Sequence, residues 1–184
     1  MPDKPQASEL CIRRATSADA DGITTAWIHG LGTATHLRLP PKDEALAFFE
    51  DRLNRQTETF GLWVAEHQGT FAGWQGLQPC RPNPVSKFAE SSTYVSSAVK
   101  AKGVGRALIM HATEHSRHVG LDYIVAFIRT ENIAMIRIVE SCGWSLVGRL
   151  PRGTPSYPEY LYYAYAVPAE PHEDSNRGLA WVQF

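Results

Sequence analysis

The stretch Ser92-Thr93-Tyr94-Val95-Ser96-Ser97-Ala98-Val99-Lys100-Ala101-Lys102-Gly103-Val104-Gly105-Arg106-Ala107-Leu108 decides the fold. A β-rich segment runs into a turn that carries two glycines and the cations Lys100, Lys102 and Arg106, and a strong helix-forming sequence follows at once. Glycines let backbone approach a ligand closely, and the first turn of a helix presents unpaired N–H groups and a partial positive charge. The combination reads as a cradle for a diphosphate. Two familiar phosphate loops do not fit it: GxGxxG fails because Leu108 stands where the third glycine belongs, and GxxxxGK[ST] is absent.

Working outward, residues 62–65 and 71–77 flank His67-Gln68-Gly69 and read as a hairpin, and a loop with Pro79, Pro82 and Pro84 leads to a third strand at about 88–96. Downstream of the glycine turn come a helix to about residue 119, a strand at 123–128, a helix at 132–142, and strands at 144–150 and 160–167. On the N-terminal side, residues 10–15 form a strand candidate. Thr16 with Asp19 three positions on is a capping-box pattern opening a helix through about Ile28. Gly30-Leu31-Gly32 is expected to stop that helix, since a lone GxG after a helix does not make a phosphate loop. Residues 42–55 carry Leu46, Phe49 and Leu53 at helical spacing. This order describes an α+β or mixed α/β domain around one central sheet. Residues 1–9 read as a loose arm, 10–167 as the domain and 168–184 as a tail. The tail's Leu179, Trp181, Val182 and Phe184 suit packing against the domain or a second subunit.

Composition narrows the classes. With 184 residues and 43% hydrophobic content the chain can build one core of ordinary size. Eighteen Lys+Arg against 19 Asp+Glu give a net charge of −1, which leaves no footprint for a dedicated nucleic-acid binder. No apolar run approaches the ~18 residues of a membrane span, and MPDKPQASEL lacks the apolar core of a signal peptide, so the expected compartment is the cytoplasm with no membrane partner. Cys11, Cys80 and Cys142 are odd in number and show no CxxC spacing; they read as reduced thiols in or near the core.

The turn resembles the [Arg/Gln]-x-x-Gly-x-[Gly/Ala] signature of the GNAT N-acetyltransferase superfamily, with Lys100 in the polar position and Gly103 and Gly105 in the last two. Asn132 after the next strand and Gly143-Trp144 closing the next helix look like the second signature of that family, and Ile12-Arg13-Arg14-Ala15-Thr16 before Asp19-Ala20 resembles its usual opening. Within the superfamily, 71–77, 90–95 and 144–150 look most like the phosphinothricin or methionine sulfoximine acetyltransferases. The resemblance implies the GNAT fold, a mixed, mostly antiparallel sheet of about seven strands with four flanking helices. It also implies acetyl-CoA as co-substrate, no metal, a small-molecule amine as acceptor, and a homodimer in many relatives.

Residue by residue, the resemblance places Lys100, Ala101, Lys102, Gly103, Val104, Gly105 and Arg106 on the cofactor pyrophosphate, and Asn132 on the cofactor or an ordered water; Asn132 also suits a helix cap. Glu90, in Glu90-Ser91-Ser92-Thr93-Tyr94-Val95, falls where the subgroup has the glutamate that takes the amine's proton. Desolvation beside a buried strand would raise such a carboxyl toward the working pH. A backbone N–H near Tyr94 or Val95 would meet the oxyanion, where a bulge splays the strand. Thr35, Arg38, Trp74 and Glu90 fall on the acceptor side; Arg38 suits a substrate carboxylate, or is a plain surface cation. The sequence departs from the pattern at Val139, where Tyr or His is common, and at Met135, so no general acid is assigned there; Tyr157, Tyr160, Tyr162 and Tyr163 are alternatives. Residues 152–160 lack the stretch expected of herbicide-acetylating members, which puts phosphinothricin itself in doubt.

Three other readings stay open. His111, His115 and His118 share a helix stripe with Glu114, but without HExxH spacing they read as a flank facing solvent and not a zinc site. A non-catalytic acyl-CoA-binding module would use the same fold without Glu90 chemistry. The acceptor could also be a protein N-terminus or an aminoglycoside.

Overall fold

Thr16 ends the first strand and starts the first helix as its sequence requires. The Asp19 carboxylate accepts from the Thr16 N–H at 2.8 Å and its hydroxyl at 3.1 Å, and Arg13 grips both Asp19 oxygens at 2.8 Å. This pairing, strongest through the Arg13 hydrogen bonds, holds the Asp19 carboxyl below its ordinary range. The computed structural model describes residues 10–32, 39–80, 87–99, 101–151 and 158–168.

The elements in chain order are β1 (Leu10–Arg14), a 3-10 turn at Ser17–Asp19, α1 (Ala20–Gly32), α2 (Lys42–Asn54), β2 (Gly61–His67), β3 (Thr70–Pro79), β4 (Phe88–Val95), α3 (Val104–His118), β5 (Tyr123–Arg129), α4 (Ile133–Ser141), β6 (Ser145–Leu150) and β7 (Tyr160–Ala166). They form a seven-stranded sheet in the order β1-β2-β3-β4-β5-β7-β6, antiparallel except where β4 meets β5. Gln68 and Gly69, at φ 52° and 72°, make the two-residue hairpin turn between β2 and β3, a left-handed pair that matches strand twist.

Helices cover both faces, so β2 and β3 are buried on both sides. Leu62, Val64 and Trp74 pack with Ile23 and Phe49 of α1 and α2, whereas Trp63, Ala65 and Leu77 face the other way, where the cores under α3 and α4 lie.

Four expectations change. α1 does not stop at Ile28 but runs through Gly30 to Gly32. A Cβ on Gly30 would lie 2.6 Å from the Tyr94 ring, so this glycine serves a close approach and not helix termination. Cys11 is exposed, because β1 is an edge strand and Cys11 sits opposite Glu66 while Ile12 packs inward; among the described residues no cysteine is bonded to another. His111 and His115 do not face open solvent. Their rings lie 5.4 and 4.6 Å from that of Trp63, and burial lowers both pKa values. Among the described residues no group of three potential metal ligands is found. Finally, β4 carries no register shift: its pairing with β3 is unbroken from Gly73↔Val95 to Pro79↔Ala89. The opening arises on its other side.

Candidate active site

The β4–β5 pairing covers Phe88↔Tyr123, Ala89↔Ile124 and Glu90↔Val125. Beyond it, residues 91–95 remain paired to β3 and 126–129 to β7, so the two strands part. Each leads into a helix whose N-terminus returns to the gap, and carboxyl ends of parallel strands are where α/β sheets bind ligands. A cavity of about 600 Å³ fills this split, a size suited to a small-molecule site.

One wall belongs to α3 and α4. Gly103 caps α3 at φ 86°, a left-handed conformation that favours glycine, and a Cβ there would meet nothing within 4 Å. Space is left beside the turn, while a Cβ on Gly105 would lie 3.3 Å from Ile138 and 3.5 Å from Val95. The first intrahelical bond shown at this end runs from Ala107 N–H to the Gly103 carbonyl, so the amides of Val104, Gly105 and Arg106 precede the helical ladder. This backbone fits the pyrophosphate of acetyl-CoA: donors converge, a glycine admits the ligand, and the cavity continues from there into the split. Asn132 caps α4, its side chain accepting from the Met135 N–H at 3.1 Å, and it lines the same cavity.

The other wall is the α1 side of the sheet. Glu90 lines the cavity there, together with Ser92, Tyr94, Phe127, Arg129 and Tyr160. It is the one carboxylate among the described lining residues. Tyr94 is stacked on Trp74 at 5.0 Å and bonded to Trp27; burial foremost, then Tyr160, pushes its phenol up. Arg129 donates to the Gly30 carbonyl at 3.3 Å and ties the end of α1 to β5.

The backbone discriminates between the two amides proposed for an oxyanion. Ser96 donates to Ala72 across the β3–β4 ladder at 2.9 Å, and sidedness alternates along a strand. Tyr94 therefore turns its N–H to β3, and Val95 turns its N–H toward the split.

Of the residues singled out from sequence, Glu90, Tyr94, Val95, Ala101, Gly103, Val104, Gly105 and Asn132 meet around this cavity. Lys102 and Arg106 are exposed and stand outside its wall. Trp74 does not reach it: at 1% exposure it supports Tyr94 from behind. Thr35, Arg38, Lys100 and Tyr157, the arm at 1–9 and the tail beyond Pro168 lie outside the described residues. Among the tyrosines considered as acids, Tyr160 lines the cavity, Tyr162 stacks on Phe127, and Tyr163 turns away to donate to Glu140 at 2.8 Å. Burial, then that bond, pushes Tyr163 up to about 12. Val139 is fully buried in the cavity wall and offers no proton. Phe127 and Arg129 escaped the sequence reading, because no local pattern marks a strand residue as facing a split made by another pair of strands.

A split sheet with a glycine-capped helix on one wall and a carboxylate on the other has room for an acyl thioester beside an acceptor. The acetyltransferase (GNAT) domain family matches residues 9–145, and the chain belongs to that family. A Salmonella typhimurium L-methionine sulfoximine/L-methionine sulfone acetyltransferase is 31% identical over 147 residues, covering 78% of this chain and 84% of that protein. The Escherichia coli L-amino acid N-acyltransferase MnaT is 26% identical over 147 residues, covering 78% of this chain and 84% of its own. The crystal structure of a GNAT superfamily phosphinothricin acetyltransferase from Sinorhizobium meliloti in complex with AcCoA superposes with a TM-score of 0.71 at 18% identity, over 90% of this chain and 94% of that one.

Proposed function

We propose that this chain acetylates the primary amine of a small, amino-acid-like molecule of the methionine sulfoximine or phosphinothricin type, by direct transfer with Glu90 as general base. The observation that carries it is Glu90 itself, the described carboxylate of the cavity, on the wall opposite the Gly103–Gly105 turn. Acetyl-CoA, when bound, supplies the acetyl thioester; Gly103, Val104, Gly105 and Asn132 would hold it. Glu90 accepts the amine proton as the new bond forms, directly or through water. The Val95 N–H, aimed at the split, stabilises negative charge on the carbonyl oxygen. Tyr160, which lines the cavity, would return a proton to the leaving thiolate, and thiol pKa values near ~8.5 make that help modest.

The test is free-CoA release with a panel of amino acids, methionine sulfone and sulfoximine, polyamines, aminoglycosides and peptide N-termini. Glu90→Gln is expected to lower kcat/KM about 100-fold or more, the usual scale of general-base loss. Equal turnover by wild type and variant across pH 6–9 would remove the base assignment.

Val139 in the cavity wall favours a second reading, an acyl-CoA-binding module without catalysis. It predicts acetyl-CoA binding with no CoA release for any amine. A homodimer is also proposed, supported by Leu146, Val147 and Leu150 of edge strand β6, which are 53%, 55% and 46% exposed.

A further inference from the structure

Arg52 of α2 is a partly buried cation that lies over β3, one strand away from the β4 residues of the cavity, and is not itself among the cavity's lining residues. A Cβ on Gly76 would lie 3.2 Å from its Nη2, so the guanidinium rests over the bare backbone of β3. Gly76 pairs with Ser92, and Gln78 with Glu90, which puts Arg52 beside the sheet face that presents Glu90, Ser92 and Tyr94. Two residues along a strand span about 7 Å, comparable to the distance between groups gripping the two ends of an α-amino acid. The Phe48 ring supports the guanidinium at 5.7 Å. Among the described residues no carboxylate lies within ion-pair distance of it, and burial lowers its pKa while Glu90 and Tyr94 oppose that shift. A half-buried guanidinium with no paired anion among the described residues is a binding group with its desolvation already partly met.

We propose that Arg52 holds the carboxylate of the acceptor whose amine faces Glu90, which makes it a specificity residue for α-amino acids over amines that lack an acidic group. This rests on the N-acetyltransferase reading above. The planar fork suits a carboxylate bidentately, which lysine cannot reproduce.

The experiment compares L-methionine sulfone with its carboxamide as acceptors, using the full chain, acetyl-CoA and free-CoA release. Wild type is expected to favour the carboxylate. Arg52→Gln should lose about tenfold or more in kcat/KM on L-methionine sulfone, chiefly through KM, while the carboxamide changes less than about twofold. Arg52→Lys should recover part of the preference, and serves as the readout if Arg52→Gln does not fold. Equal losses on both acceptors, or an unchanged preference in either variant, would overturn the proposal. If wild type acetylates a polyamine or a peptide N-terminus but discriminates against neither methionine derivative, Arg52 fails and the N-acetyltransferase reading survives. If no amine of the panel is acetylated, both fall.

Discussion

At the scale of single residues, Gly30 and Gly103 lack side chains for opposite reasons. Gly30 sits in the last turn of α1 with Tyr94 pressed against it, so Gly30→Ala must displace a ring carbon 2.6 Å from the new Cβ. Overpacking of this kind costs about 1–3 kcal/mol, and urea unfolding should report it together with reduced turnover, because Tyr94 lines the cavity. Gly103 has free space around it but a left-handed backbone at φ 86°. Gly103→Val should raise the acetyl-CoA Kd about tenfold or more in calorimetry, because its side chain stands where the ligand would approach, while the left-handed strain of about 1–2 kcal/mol falls on stability. Unchanged affinity would remove the cradle assignment. The sequence marked both glycines, yet it distinguished their roles only at Gly103, where the flanking strand and helix are local; the partner of Gly30 is 64 positions away.

At the scale of elements, α3 is bound to β2 through His111 and His115 against Trp63, with Arg14 stacked over the same ring at 4.5 Å. Burial holds both imidazoles neutral below their ordinary pKa, and His115 and Arg14 add to this at His111. In the unfolded chain both take up protons near pH ~6.5, whereas the folded chain resists until lower pH. The unfolded state then binds more protons, so stability is full above about pH 6.5 and falls as the pH drops through the folded values. Urea midpoints should decline from pH 7.5 to 5.5, and a His111→Gln/His115→Gln double variant should flatten that decline. A slope unchanged in the double variant would assign it to other groups. Helical spacing on α3 was legible in the sequence and placed Leu108, Ile109 and Ala112 inward. That the histidine flank meets a tryptophan followed from sheet order and helix placement, which spacing does not encode.

At the scale of the whole molecule, ligand binding and the proposed self-association can be measured. A ligand that binds only the folded state stabilises it by about 2.7 kcal/mol at 100 times its Kd, which for a chain of this size raises Tm by several degrees. Acetyl-CoA should produce such a shift in wild type and a smaller one in Gly103→Val. Light scattering is expected to give twice the 20.4 kDa chain mass, and Leu146→Asp with Val147→Asp should return the monomer if β6 forms the contact.

The sequence by itself determined the element order, the hairpin, the capping box at Thr16 and Asp19, and the joining of a glycine turn to a helix N-terminus, because each is set by residues a few positions apart. The same locality made Gly103 and Gly105 legible as candidate site residues, while Glu90 and Asn132 were marked by the resemblance to a known family. Only the tertiary structure decided that β7 inserts between β5 and β6, that β4 and β5 part after Glu90, and that the Val95 amide faces that split. It alone brought Arg52 of α2 over Gly76 of β3. These depend on sheet pairing between distant segments, and pairing is chosen by how whole faces bury against each other, a property that no single stretch of chain carries.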